Sequence, residues 1–258
     1  MKFVPKELNQ AAENSSGGGP RGMRREALVL TLLMCLTVTL LYLTIGWVTD
    51  FAVSRITPEQ EQKLFAGVNF GNDSDEAPEE YLEKWQLSQQ ILDKLVEFPE
   101  VPEIDFQLSI YEDAMLNAFA LPGGGIALTQ GLLDQLDEEI AIAFIIAHEL
   151  GHFAGRDHLQ GMGRQIGFGI AIQLLTGGSP DGLTNSAMQL VNLGYSREQE
   201  SAADAFAIRC IDYVYGRRDG AERLFKLLQE ESTLPSWAYM FQTHPDNEKR
   251  IQAIVEAE

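Results

Sequence analysis

The chain has 258 residues, 45% of them apolar, and carries 38 acidic side chains against 19 basic ones, for a formal net charge of −19. That balance supports a packed core, excludes a disordered polymer, and disfavours anionic partners, so no nucleic acid is expected. The charge is unevenly spread: Lys2, Lys6, Arg21, Arg24 and Arg25 against Glu7 and Glu13 make residues 1–25 net +3, which leaves −22 for the remainder.

Residues 1–25 contain ENSSGGGPRG, a stretch without periodicity that reads as a flexible tail. Residues 27–48 then run 22 positions without a charge. As a helix they would reach about 33 Å, enough for a hydrocarbon core of about 30 Å. The run is too long for the apolar region of a secretory signal, and no small-x-small cleavage site follows, so 26–49 reads as a retained transmembrane anchor. Five basic residues precede it and only Arg55 and Lys63 follow within 49–66. The positive-inside rule therefore predicts a single pass with a cytoplasmic N-terminus and an extracytoplasmic remainder. Cys35, within the span, and Cys210, far from it, are too few for a disulfide framework and are expected to be free thiols.

Residues 50–77 run into the acidic NFGNDSDEAPEE (69–80) and read as a linker, leaving 78–258 as one domain. Tyr81, Trp85, Leu92 and Leu95 recur at helical spacing, predicting an amphipathic helix over 79–98. The β-rich segments 106–111, 115–121 and 125–129, separated by turn material, predict a small antiparallel meander. A helix with acidic residues in its first turn is expected from Asp137. The segment 165–175 is apolar but too short to span, and its default reading is a core helix, with a lid or membrane-facing role if exposed. The fold class expected is thus α+β, mostly helical with a small antiparallel sheet.

The helix from Asp137 carries His148-Glu149-Leu150-Gly151-His152, an HExxH pattern. Side chains at i and i+4 share a helix face, so both imidazoles can reach one ion, while Glu149 is displaced around the helix toward a bound water. Zn²⁺, one per chain, is the natural occupant. Two candidates offer a third ligand. His158 completes the longer HExxHxxGxxH pattern of the metzincins, although no Met-turn accompanies it; alternatively Gly155 caps the helix, with Arg156 at the negative end of its dipole. Further along, Ser196 and Gln199 form a capping box that starts a helix on which Glu200 and Asp204 lie one turn apart. A carboxylate so placed can accept the remaining N–H of a coordinating histidine.

Three separated motifs, Asn117-Ala118-Phe119-Ala120-Leu121-Pro122-Gly123-Gly124, HELGH at 148–152 and SREQESAAD at 196–204, give a chain that resembles the zinc metallopeptidases related to HtpX, BepA, Oma and the CAAX prenyl proteases. A weaker match joins Thr243-His244-Pro245 with Arg250-Ile251. The resemblance implies a zincin-like domain with Glu200 as third ligand and Asp204 as partner to a ligand histidine. His244 is the candidate donor to the developing oxyanion, with Tyr239 as the other choice. Asn117, Ala118, Phe119 and Ala120 are the candidate rim strand for an extended substrate.

The function expected is a membrane-anchored zinc endopeptidase with Glu149 as general base, acting on protein or peptide substrates. The resemblance implies quality control of misfolded envelope proteins, at the bacterial inner membrane with the catalytic domain in the periplasm. The alternatives are a metzincin-type peptidase that uses His158, or a catalytically silent zincin-fold chaperone or adaptor. One span rather than several, and an end eight residues after Arg250, depart from HtpX-like and BepA-like relatives.

Overall fold

The computed structural model describes residues 20–66, 78–176, 194–221 and 223. The apolar N-terminal run folds as α1 (Pro20–Val53), and its Met23–Val53 portion contains an 18-residue stretch with a mean hydropathy of 2.4 and no buried residue, long and apolar enough to cross a membrane. Thr31, Thr37, Thr39 and Thr44 donate their hydroxyls to carbonyls four residues back at 2.7–2.9 Å, so these polar groups are satisfied within the helix itself. Residues group into two units, Met1–Val48 and Thr49–Glu258, and everything below concerns the second.

Within the stretch expected to be a linker, Pro58–Phe65 forms a short helix, α2. Its start is well specified: Thr57 caps it, Pro58 occupies the first turn, and Gln60 completes a reciprocal capping box. The helix expected over 79–98 is realised as a 3₁₀ turn at Glu79–Tyr81 running into α3 (Leu82–Leu95), which buries Ser88, Ile91, Leu92 and Leu95 on one face.

The sheet has three strands, β1 (Gln107–Tyr111), β2 (Ala118–Leu121) and β3 (Gly125–Thr129), in the order β1-β3-β2. It is mixed, which corrects the meander expectation. β2 and β3 form an antiparallel hairpin with Ala118 opposite Leu128 and Leu121 opposite Gly125, but β1 lies parallel to β3, Gln107 beside Gly125 and Tyr111 beside Thr129. The alternation of side chains is the same in either direction, so the sequence pattern did not encode it. The hairpin turn needs glycine at Gly123 and Gly124, with φ of 90° and 103°. Strand β2 is shorter than the 115–121 expected because the chain at Met115–Asn117 wraps around Thr129, whose single hydroxyl proton is within reach of the Met115 carbonyl at 2.6 Å and the Asn117 carbonyl at 2.8 Å, and whose oxygen accepts from Asn117 N–H.

A short helix not foreseen, α4 (Gln130–Gln135), leads into α5 (Glu139–Gly155). Every residue of α5 from Ile140 to Phe153 is buried, as befits a helix that is apolar on all sides, and it packs against α3, β2 and α7 (Arg197–Tyr215). Between α5 and α7 in the chain comes α6 (Asp157–Thr176), which absorbs the apolar segment 165–175. Its Ile166 and Ile170 are exposed, at 44% and 45%, which departs from the core-packing expectation. Both cysteines are free thiols, as expected.

Candidate metal centre and active site

The site is built where α5 and α7 come closest. Gly151 makes that approach possible, because a Cβ there would stand 2.9 Å from Ala203 Cα and 3.1 Å from its carbonyl oxygen. On α5, His148 and His152 face the same way one turn apart; on α7, started by the Ser196–Gln199 capping box, Glu200 and Asp204 do likewise. All four are buried, with 5% exposure or less.

The two imidazole Nε2 atoms stand 3.0 Å apart. Glu200 Oε2 lies 3.6 Å from His148 Nε2, and Oε1 lies 3.5 Å from His152 Nε2. Donor atoms of these three residues fall within 4.8 Å of one another, forming a group that could hold a metal ion. A tetrahedral site with bonds of about 2.0–2.2 Å places its ligand atoms about 3.3 Å apart, so the spacing suits one small cation. The opposite ring nitrogens are already committed: His148 Nδ1 meets Asp204 Oδ1 at 2.9 Å, and His152 Nδ1 meets Asp157 Oδ2 at 2.8 Å. Protons on both Nδ1 atoms turn both Nε2 lone pairs toward the same point as the Glu200 carboxylate. Three acceptors converging on one buried point fit a divalent cation.

Asp157 is held in turn, its Oδ1 accepting from Gln199 Nε2 at 2.8 Å, so the cap residue of α7 also braces the carboxylate behind His152. Gly155 leaves room for this carboxylate, which a Cβ would approach at 3.0–3.2 Å. Electrostatics agree with the geometry. Burial alone would lower His152, but the Asp157 and Glu200 carboxylates outweigh it and raise it to about 9, the response of an imidazole among anions. Tyr195 stacks on the His152 ring with centroids 3.8 Å apart, and burial together with the Glu149, Asp157 and Glu200 charges keeps its phenol protonated. Glu149 is 1% exposed, and its Oε2 has no hydrogen-bond partner among the described residues.

His158 is not brought to this cluster. Its Nε2 meets Glu61 Oε1 at 2.7 Å and its Nδ1 faces the His152 carbonyl at 3.4 Å, so both nitrogens point to oxygen atoms. The helix end also differs from the sequence reading: Gly155 is the last residue of α5, and Arg156, at φ 59° and ψ 27°, is the left-handed cap. Among the rim residues, Ala118, Phe119 and Ala120 lie on β2, an edge strand, with buried side chains. Asn117 precedes the strand, its backbone engaged by Thr129 and its Oδ1 buried without a partner among the described residues. His244 and Tyr239 lie outside the described residues. Sequence reasoning did not find Asp157, Tyr195 or Glu61 at the site. Asp157 had a signal, an acidic residue just past the end of a ligand helix, and Tyr195 had its place directly before the cap of the other.

In chemical terms this donor set belongs to the metal-dependent hydrolases. The comparison with known families is specific: residues 83–258 match the model of peptidase family M48, and the chain belongs to that family of metallopeptidases. Among curated proteins it is similar to the mitochondrial metalloendopeptidase OMA1 of Schizosaccharomyces pombe, 26% identical over 175 residues that cover 65% of this chain and 51% of the relative. It is also similar to two proteins of Escherichia coli (strain K12). Metalloprotease LoiP is 30% identical over 165 residues, covering 56% of this chain and 60% of LoiP, and metalloprotease YcaL is 28% identical over 158 residues, covering 56% and 59%. The chain therefore spans about half to three fifths of the length of these relatives.

Proposed function

We propose that this protein is a zinc-dependent endopeptidase in which His148, His152 and Glu200 hold one metal ion and Glu149 is the general base. The observation that carries the reading is the convergence of two Nε2 atoms and the Glu200 carboxylate on one buried point, with the Oε2 of Glu149, unpartnered among the described residues, on the same helix as the two histidines. Zinc held there supplies a Lewis acid for the scissile carbonyl and lowers the pKa of water toward neutrality. Glu149, adjacent to a ligand and turned away from it around α5, takes the proton of the attacking water and returns it to the leaving amine. Asp204 and Asp157 hold the two imidazoles in the Nδ1–H form. His244, on the Thr-His-Pro motif, is the proposed donor to the oxyanion. Strand β2, an edge strand at Ala118–Leu121 packed against α5, is the proposed rim on which an extended peptide adds by backbone pairing; Asn117 sits at its start.

The apolar helix supports a single-pass anchor through residues 27–48, with the N-terminus cytoplasmic and the peptidase domain extracytoplasmic, at the inner membrane of a bacterium. Cleavage of misfolded envelope proteins is the role proposed for it. Comparing cleavage of an unfolded protein such as casein by the wild-type chain and by Glu149→Gln tests the reading: activity is expected to vanish in the variant while metal stays bound, and equal activity in both would contradict it.

A further inference from the structure

Glu61 is a buried carboxylate, 1% exposed, on the short helix α2 that follows the apolar span, and it lies outside the residues matched to the peptidase family. It gathers three donors from two segments, the turn at Arg156–His158 and the tip of the β2–β3 hairpin. His158 Nε2 reaches Oε1 at 2.7 Å, the backbone N–H of Gly123 reaches the same oxygen at 3.0 Å, and Arg156 Nη2 reaches Oε2 at 3.1 Å. Arg156 also donates through Nη1 to the Ile56 carbonyl, just ahead of α2. Arg156 and His158 flank Asp157, the residue that accepts from His152 Nδ1. Arg156 moreover adopts the left-handed conformation, which an arginine holds only when its surroundings compensate. The turn that orients one ligand histidine is thus tied from outside the family domain. The same carboxylate ties the β2–β3 hairpin tip, where Phe65 Cβ of α2 already stands 3.0 Å from the position a Cβ on Gly123 would take.

We propose that Glu61 is a positioning residue for the metal centre, acting through Arg156 and His158 on the turn that carries Asp157. The inference rests on the zinc-peptidase reading above. Burying an ionised carboxylate is costly unless it is fully hydrogen-bonded, and here the bonds go to the turn behind His152 and to the hairpin that ends β2. Helix α2, which follows the apolar span in the chain, by this account supports the metal centre, and peptidase activity depends on a segment that the family domain does not include.

The test uses the full chain in detergent. Zinc dissociation constants are measured by chelator competition, alongside kcat and KM for peptide cleavage, in wild type, Glu61→Gln and Arg156→Gly. A core truncation away from the site, Leu133→Ala, controls for general destabilisation. Glycine adopts the left-handed cap without strain, so Arg156→Gly removes the tether while keeping the backbone conformation of the turn accessible. Both tether variants are expected to bind zinc about tenfold more weakly and to lose kcat more than they gain KM, since outer partners of metal ligands carry about 10–100-fold in affinity or activity. The control is expected to bind zinc as wild type does. Wild-type zinc constants in both tether variants would overturn this inference alone, as would an equal loss in Leu133→Ala. A wild-type chain that takes up no zinc would overturn the underlying reading and this one with it.

Discussion

Gly151 lies directly against the backbone of Ala203, so close that the smallest side chain at 151 would stand 2.9 Å from the Ala203 Cα. The contact sets the distance between the helix of the two histidines and the helix of Glu200. Gly151→Ala is expected to push α7 away by a few tenths of an ångström or more, spreading the three donor atoms. Overpacking of this kind costs about 1–3 kcal/mol. The expected outcome is a lower melting temperature and, at temperatures where the variant is folded, weakened zinc binding on chelator titration. Unchanged zinc affinity in a folded variant would mean that the spacing is set elsewhere.

The two imidazoles are each backed by a carboxylate from a different segment, Asp204 on α7 and Asp157 at the start of α6. Asp204→Ala and Asp157→Ala are each expected to weaken metal binding about 10–100-fold. Because the two act on different histidines, their effects are expected to multiply in the double variant; a double variant no worse than either single would show that the two carboxylates do not act independently.

Glu61 gives a pH dependence of stability. Burial would raise its pKa, but the His158 contact, the Gly123 N–H and Arg156 outweigh burial and hold it below the usual carboxylate value of 4.5. A carboxylate with a depressed folded pKa stabilises the native state fully above its unfolded pKa, and that contribution is lost as pH falls through the folded value. Wild type is therefore expected to exceed Glu61→Gln in unfolding free energy at pH 7, with the gap narrowing below about pH 4.5. Denaturant titrations of both chains at pH 7 and pH 4 check this; a gap that is constant or widens in acid contradicts it.

Much of this site was legible because its parts are periodic or local. HExxH places two imidazoles on one helix face by arithmetic, and the Ser196–Gln199 capping box fixes where α7 begins, hence which face Glu200 and Asp204 share. The apolar span follows from composition in the same way, whereas α5, expected to carry an apolar stripe, is buried on all sides from Ile140 to Phe153. The direction of β1 was not legible, since a strand's in-and-out pattern is identical whichever way its neighbour runs. Glu61 was not legible either: in ITPEQEQKLF it is one of two glutamates on a short polar helix, and only the fold shows that Glu59 is exposed and paired with Lys63 while Glu61 is buried against Arg156 and His158. His158 was the rival candidate for the third ligand. Its spacing matches a ligand pattern letter for letter, but the left-handed turn at Arg156 sends it to Glu61 instead.

The central claim, that Glu200 rather than His158 completes the metal site, is tested most directly by zinc stoichiometry of the full chain in detergent for wild type, Glu200→Gln and His158→Ala. The account predicts one zinc per wild-type chain, loss of that zinc in Glu200→Gln, and a His158→Ala chain that still fills with zinc at saturating metal. A Glu200→Gln chain that keeps its zinc, beside a His158→Ala chain that has none, would contradict it.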